Sequence, residues 1–305
     1  MKLAICSRSV SNNKYALKIL KKKFNKITVN KSNKIFKDNE LLNFVKNSNA
    51  IIVGLEKIDK KFLDNCPNLK YIGKYGVGTN NIEFDQLKKK KIKIFLQKGI
   101  NKRSVSELTL SFMILALRKI IQTINFVKNG DWPFFAGAEL SGNKIGIIGI
   151  GNIGRDLIKL LKPFNCKIYC NDIDPNKKFF EKNNLKNSNI KTVLSKSNIV
   201  TIHIPYNEKN KNLISKKEFS YLKKKVILIN TSRGGIVDEL ELYNFLKKNP
   251  SSIAIFDVLK SEPPVNNKLL NLSNFFVTSH IAGTTKESLD KGSIDCATKL
   301  VNGIK

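Results

Sequence analysis

Residues 144–157 read KIGIIGIGNIGRDL: an apolar run suited to a strand, three glycines spaced GxGxxG, and the opening of a helix. Few folds accommodate that segment. Gly149 permits a tight turn, Gly151 lets an anion approach the backbone, and Gly154 lets helix and strand pack closely. A pyrophosphate placed there meets the positive end of a helix, with Asn152 and Ile153 in its first turn. The following run, CKIYCN, leads to Asp172, 18 residues beyond Gly154, close to the spacing of about 20 that a ribose-binding carboxylate takes. Such a carboxylate accepts the adenosine ribose hydroxyls and repels a 2′-phosphate, so NAD is favoured over NADP. Asp174 is a neighbouring candidate, and Lys177 and Lys178 leave NADP use open.

The rest of the chain is organised around this motif. Before it, KLAICS, KITVN, AIIVGL, LKYIGKYG and KIKIFL alternate with helical stretches near 14–24 and 40–47. After it, KIGIIGIG, CKIYCND, NIVTIHIP, KKVILIN, SIAIFDV and FFVTSH alternate in the same way. Alternation of this kind predicts an α/β protein with two doubly wound parallel sheets. Between them, SVSELTLSFMILALRKIIQTINFV predicts one long helix over 104–127, apolar nearly all round and therefore buried between domains or subunits. A final amphipathic helix is expected over 286–301. At 305 residues, two cores are the natural expectation.

Charge enters because it points elsewhere. The net charge of +31 invites a nucleic-acid reading, but only five of the 55 basic residues are arginine. No basic stretch interleaves with aromatics in a nucleic-acid motif. Lysines lie in scattered runs such as 21–23, 88–91 and 223–225, which suits solvated faces, and no nucleic-acid partner is expected. None of Cys6, Cys66, Cys166, Cys170 and Cys296 forms a CxxC pair or sits at metal-ligand spacing from a histidine, so reduced thiols and no metal are expected. With no secretory leader or membrane span legible, a cytoplasmic location is expected.

Chemistry is sought where strands give way to loops, because ligands of open α/β sheets bind beyond the carboxyl ends of the strands. Both histidines, His203 in VTIHIP and His280 in VTSHIAG, occupy such ends. Interconverting a hydroxyl and a carbonyl needs a group that donates and accepts a proton near neutrality, and one of these two fits. Arg233 in VILINTSRGG carries the planar fork that holds a carboxylate. Asp257 and Glu262 in FDVLKSEPP supply carboxylates, and a carboxylate beside an imidazole fixes its tautomer and favours its protonated form. Each residue alone also fits a structural role as a cap, turn or satisfied polar group. Their joint order and spacing separates the two readings.

That order resembles the D-isomer-specific 2-hydroxyacid dehydrogenase family. KIGIIGIGNIG, INTSRGGIVDE, FDVLKSEPP and SHIAGTT follow in the family's sequence, with 29 residues from Arg233 to Glu262 and 18 from Glu262 to His280. The resemblance implies a Rossmann cofactor domain, 98–284, inserted into a flavodoxin-like substrate domain, 1–97 plus 285–305, with substrate held in a cleft and dimerisation through the cofactor domain and its long helix. It implies that His280 is the acid/base, Glu262 its partner, and Arg233 the binder of substrate carboxylate and carbonyl. It places Asp257 near the nicotinamide carboxamide, and His203, Pro205, Thr231 and Gly283 in the cofactor pocket. From the substrate domain, Val77 and Gly78 in YGVGTNNIE are implied carboxylate-binding amides, with Asn101 and Glu107 near the cleft; for the glycine turn and Asn101 a purely structural role stays open.

The implied activity is hydride transfer between NAD(H) and a D-2-hydroxy acid or its 2-oxo acid, phosphoglycerate or hydroxypyruvate among the candidates, in a form lacking a C-terminal regulatory domain. Val53 and Gly54 stand where phosphoglycerate enzymes of the family carry an arginine and a serine, which argues against a phosphorylated substrate, although Lys57, Lys74, Lys102 and Arg103 are alternative phosphate contacts. Glu262 stands where formate dehydrogenases carry glutamine. A different class, an NAD-sensing interaction protein resembling a corepressor on the same scaffold, is the alternative.

Overall fold

A computed structural model describes residues 1–32 and 34–304. The chain divides into two compact units, residues 1–101 with the tail from Thr284, and residues 102–283.

The first unit opens with β1 (Lys2–Ile5), α1 (Arg8–Ser11), α2 (Lys14–Lys21), β2 (Lys26–Val29), α3 (Asp38–Val45), β3 (Ala50–Val53), α4 (Lys60–Asp64), β4 (Tyr71–Lys74), α5 (Phe84–Lys89) and β5 (Lys93–Phe95). All neighbouring strands are parallel, in the order β2-β1-β3-β4-β5. This is the flavodoxin-like order, with its switch point between β1 and β3. β3 reads AIIV and is buried throughout, as a strand covered on both faces must be. One face packs Ile51, Val53, Phe62, Leu63 and Leu87; the other packs Leu3, Ile5, Leu20 and Ile52.

The second unit runs α6 (Lys102–Leu117), α7 (Ile120–Lys128), β6 (Lys144–Ile148), α8 (Asn152–Leu161), β7 (Lys167–Asn171), α9 (Lys177–Lys182), α10 (Ile190–Lys196), β8 (Ile199–Ile202), α11 (Lys216–Phe219), β9 (Ile227–Asn230), α12 (Glu239–Lys248), β10 (Ile253–Phe256) and β11 (Phe275–Val277). The tail helix, α13 (Lys286–Gly303), belongs to the first unit and buries Cys296, Ala297 and Leu300 there. The second sheet is also parallel, ordered β11-β10-β9-β8-β6-β7. Its switch point lies between β6 and β8, where the glycine turn and the segment bearing His203 leave the sheet together. Beyond β7 a single parallel bridge, Cys170 to Asn187, extends the edge.

The two sheets are those the alternation predicted, but the long helix is not. α6 and α7 meet at a 62° bend, with Lys119 in the left-handed region at φ 51°. The segment near Ala138 folds over the end of α6, and the Ala138 N–H donates to the Leu117 carbonyl that a continuing helix would use at 3.0 Å. α6 buries Val105, Phe112, Met113 and Ala116, whereas α7 buries nothing. Ile124, Phe126 and Val127 are exposed instead, beside Trp132 and Phe134, which are 89% and 94% exposed. Among the described residues no single helix is long and apolar enough to cross a membrane. The unit boundary falls at 101/102, where α6 begins, four residues past the expected position. Helix α6 explains the shift: Ser106 Oγ reaches the Ile153 carbonyl, and Arg103 pairs with Asp156 on α8 at 3.1 Å.

Candidate active site

The glycine turn is built as its spacing predicted. Gly149 has φ 94°, and a Cβ there would stand 2.6 Å from the His203 carbonyl oxygen across the switch point. A Cβ at Gly154 would overlap the Gly149 carbonyl, so α8 can follow β6 this closely only with glycine at that position. At Gly151, the N-cap of α8, a Cβ would meet nothing within 4 Å: the space above the helix N-terminus, over Asn152 and Ile153, is open to a phosphate. These are the features a dinucleotide pyrophosphate needs, and the residues fit NAD.

Asp172 stands beside the turn and is already engaged. Its Oδ2 accepts from the Ile150 N–H at 2.6 Å and its Oδ1 from the Asp174 N–H at 2.8 Å. Asn187 grips the Asp172 backbone on both sides, accepting from its N–H and donating to its carbonyl, each at 2.9 Å. A carboxylate has about four lone-pair sites, so acceptors remain for ribose hydroxyls. Asn187 went unnoticed in the sequence because its role arises from the edge bridge, which has no periodicity signal.

The two histidines part company. His203 is buried, with Nε2 3.0 Å from Thr201 Oγ1 and Nδ1 lacking a partner among the described residues. Burial pushes its pKa down to about 3. The side chain is therefore neutral at physiological pH, and its orphaned Nδ1 suits a ligand atom on the β8 side of the turn. His280 lies in the loop after β11, its side chain 45% exposed and its Nδ1 2.6 Å from Glu262 Oε2. The second Glu262 oxygen accepts from the Leu259 N–H at 3.0 Å, so the carboxylate is itself held. With Nδ1 occupied, Nε2 is the nitrogen left to a substrate.

His280 carries φ 57°, a conformation a non-glycine residue keeps only where its surroundings enforce it. Asp257 does the enforcing. Fully buried at the end of β10, it accepts from Thr278 Oγ1 at 2.5 Å, the Ile281 N–H at 2.8 Å and the Ala282 N–H at 2.8 Å. The resemblance placed Asp257 beside the nicotinamide; its observed contacts are to the loop that carries His280 and leads to Gly283.

Arg233 follows β9. An Asn230 turn shapes the segment, with Asn230 Oδ1 accepting from the Ser232 N–H and hydroxyl and its Nδ2 donating to the Arg233 carbonyl. Thr231 Oγ1 lies 2.9 Å from Thr109 Oγ1 of α6. A Cβ at Gly234 would strike the Leu259 carbonyl, so the loops after β9 and β10 touch and bring Arg233 toward Glu262. Burial lowers the Arg233 pKa from its ordinary value while the Glu262 carboxylate opposes the shift. One guanidinium nitrogen donates to the Ser232 carbonyl at 2.7 Å, leaving the fork's other donors for an anion. Pro205 contributes a carbonyl to Asn210 at 2.9 Å.

Val77, Gly78 and Asn101 belong to the first unit. The loop after β4 is anchored by its Gly76 N–H donating to Gln97 Oε1 at 2.7 Å, and Gln97 in turn donates to the Gly292 carbonyl and Asp295 of α13. Val77 and Gly78 are half-buried there, and the Asn101 Oδ1 is buried without a partner among the described residues. Glu107 is exposed on α6, 3.9 Å from Arg103.

Residues 110–282 match the family described as D-isomer specific 2-hydroxyacid dehydrogenase, NAD binding domain. The chain is 35% identical over 270 residues to a D-3-phosphoglycerate dehydrogenase of Archaeoglobus fulgidus, a match covering 87% of this chain and 51% of that protein. It is 32% identical over 283 residues to a glyoxylate reductase of Thermofilum pendens, covering 87% and 81%. The chain thus spans about half the length of the two D-3-phosphoglycerate dehydrogenases it matches, 51% and 48%. In fold it is similar to a glyoxylate reductase from Paecilomyes thermophila, with TM-score 0.89 and 21% identity over 100% of this chain and 95% of that one.

Proposed function

The chain belongs to the D-isomer specific 2-hydroxyacid dehydrogenase family, and from that premise we propose that it interconverts a D-2-hydroxy acid and its 2-oxo acid, using the second unit for NAD and the first for substrate. The observation that carries this reading is the Glu262–His280 pair at 2.6 Å, beside a half-buried arginine with donors to spare. NAD, when bound, supplies the acceptor for the hydride that leaves C2.

The remaining work falls to the protein's own side chains. Arg233 holds the substrate carboxylate and polarises the C2 oxygen; in the first unit, Val77 and Gly78 carry the substrate-binding amides of this reading. His280 Nε2 takes the hydroxyl proton, and Glu262 stabilises the imidazolium that results. Asp257 keeps the His280 loop in its strained conformation. In the reductive direction, His280 returns the proton to the nascent alkoxide. Asp172 would select NAD over NADP by accepting from the ribose hydroxyls, Asn152 and Ile153 would offer amides to the pyrophosphate, and His203, Pro205, Thr231 and Gly283 would line the cofactor.

The protein acts as a homodimer in this reading, joined through the apolar face of α7 and the adjoining Trp132 and Phe134, an exposed cluster that a second copy would bury. Five free cysteines accord with a reducing, cytoplasmic setting. The test is NADH oxidation with glyoxylate, pyruvate, hydroxypyruvate, phenylpyruvate, 2-oxoglutarate and 3-phosphohydroxypyruvate. Turnover of at least one is expected; no oxidation with any of the six would remove the enzymatic reading.

A further inference from the structure

The switch point of the first sheet lies between β1 and β3, and two polar side chains are buried there just past the strand ends: Ser7, 4% exposed, and Glu56, 3% exposed. They converge over Gly54, where the site a Cβ would take is 3.7 Å from Glu56 Oε2 and 4.0 Å from Ser7 Oγ. The missing side chain at Gly54 leaves that space clear. Asn81 makes the loop rigid, its Nδ2 donating to the Gly54 carbonyl at 3.2 Å and the Glu56 carbonyl at 2.6 Å. Glu56 Oε2 accepts from the Gly54 N–H at 2.6 Å. Capping one N–H uses one of about four lone-pair sites, and a neutral oxygen would serve for that; a buried carboxylate is a costly choice unless more donors reach it.

One strand further along, the polarity reverses. Lys74, 2% exposed at the end of β4, donates to the Tyr75 carbonyl at 2.8 Å, and its Nζ lies 3.9 Å from the Cβ site of Gly76. Its charge thus sits at the base of the Gly76–Gly78 loop. Neighbouring strand ends of this sheet carry opposite charge, a carboxylate past β3 and a cation at the end of β4.

Resting on the proposed activity, we infer that Ser7 and Glu56 are specificity-determining residues: they select 2-oxo acids that carry a hydrogen-bond donor, such as a hydroxyl, beyond C2, and reject those that end in a second anion. A site built to bond a substrate hydroxyl discriminates strongly against the analogue without it, because its own polar groups are then left unpaired. A phosphate would face the Glu56 carboxylate at short range.

Three substrates isolate the effect: hydroxypyruvate, pyruvate, which lacks the hydroxyl, and 3-phosphohydroxypyruvate, which buries it in an anion. The wild-type kcat/KM is expected to favour hydroxypyruvate over each of the others by about 100-fold or more. Glu56→Gln should lower the hydroxypyruvate-to-pyruvate ratio about tenfold and raise the relative rate with the phosphorylated acid. Ser7→Ala should lower the first ratio about threefold, and it carries the test if Glu56→Gln does not fold. A wild-type ratio near one, a preference for the phosphorylated acid, or ratios unmoved in both variants would overturn the inference while leaving 2-oxo acid reduction intact. If no acid is reduced, the underlying activity fails instead. Calorimetric binding of hydroxypyruvate and 3-phosphohydroxypyruvate to the NADH complex then reads the same subsite: tighter hydroxypyruvate binding that Glu56→Gln abolishes supports it, and equal affinities overturn it.

Discussion

The ends of β8 and β11 carry the chain's two histidines at what looks like the same station in the same sheet, and the structure makes them opposites. After β8, the chain turns inward against the glycine loop, and His203 is buried with one nitrogen on Thr201 and the other unpartnered. After β11, Asp257 draws the loop back by three hydrogen bonds, turning His280 outward at φ 57° onto Glu262. Residue type is shared; burial and a carboxylate neighbour separate a neutral, enclosed imidazole from an exposed one paired to Glu262. The lesson is that a histidine's chemistry is set by what the loop after its strand does.

The sharpest way to break this contrast is to remove each histidine in turn. His280→Ala is expected to lower kcat/KM for 2-oxo acid reduction by about 10³- to 10⁴-fold, with NADH affinity by fluorescence titration nearly unchanged. His203→Ala should instead weaken NADH binding; a comparable loss of kcat there would erase the distinction. Arg233→Lys, which retains charge but loses the fork, should cost about 10²-fold in kcat/KM for the acid, measured at saturating NADH.

His203 should also make stability depend on acid. Burial holds His203 at about 3, against an ordinary value of 6.5. Below pH 6.5 the unfolded chain binds a proton that the folded chain refuses, so this contribution is complete above 6.5 and is lost as pH falls toward 3, at about 1.4 kcal/mol per unit. Between pH 7 and 5 the wild type should therefore lose about 2 kcal/mol more stability in urea unfolding than His203→Gln. Parallel pH dependences would show that His203 is not held neutral. The smallest effect is expected at Asp257→Asn, which leaves His280 in place but loosens its loop. A fall of about tenfold in kcat, with faster amide exchange at Ile281 and Ala282, is the expected pair of readouts.

Much of this was legible beforehand, for identifiable reasons. Parallel strands buried on both faces, such as AIIV and ILIN, announce themselves as short apolar runs, and eleven such runs placed both sheets. Gly149 and Gly154 could be assigned because each answers to a local steric demand that no other residue meets. The single long helix failed because its break at Lys119 has no glycine or proline to mark it; a backbone N–H from 21 residues downstream takes the carbonyl that would have continued it. The contacts of Asp257 were illegible for a similar reason: its three donors are 21 to 25 residues away in sequence, and no spacing rule foretells them.

By itself, then, the sequence determined the two α/β sheets, the dinucleotide turn and the candidate trio of Arg233, Glu262 and His280. These rest on local periodicity, glycine sterics and motif order, all of which act over short stretches of chain. Only the tertiary structure decided which histidine is exposed, how Asp172 and Asp257 spend their lone pairs, and that Ser7 and Glu56 converge over Gly54. Burial and hydrogen-bond partnership are properties of groups brought together from distant segments, and they come into being only when the chain has folded.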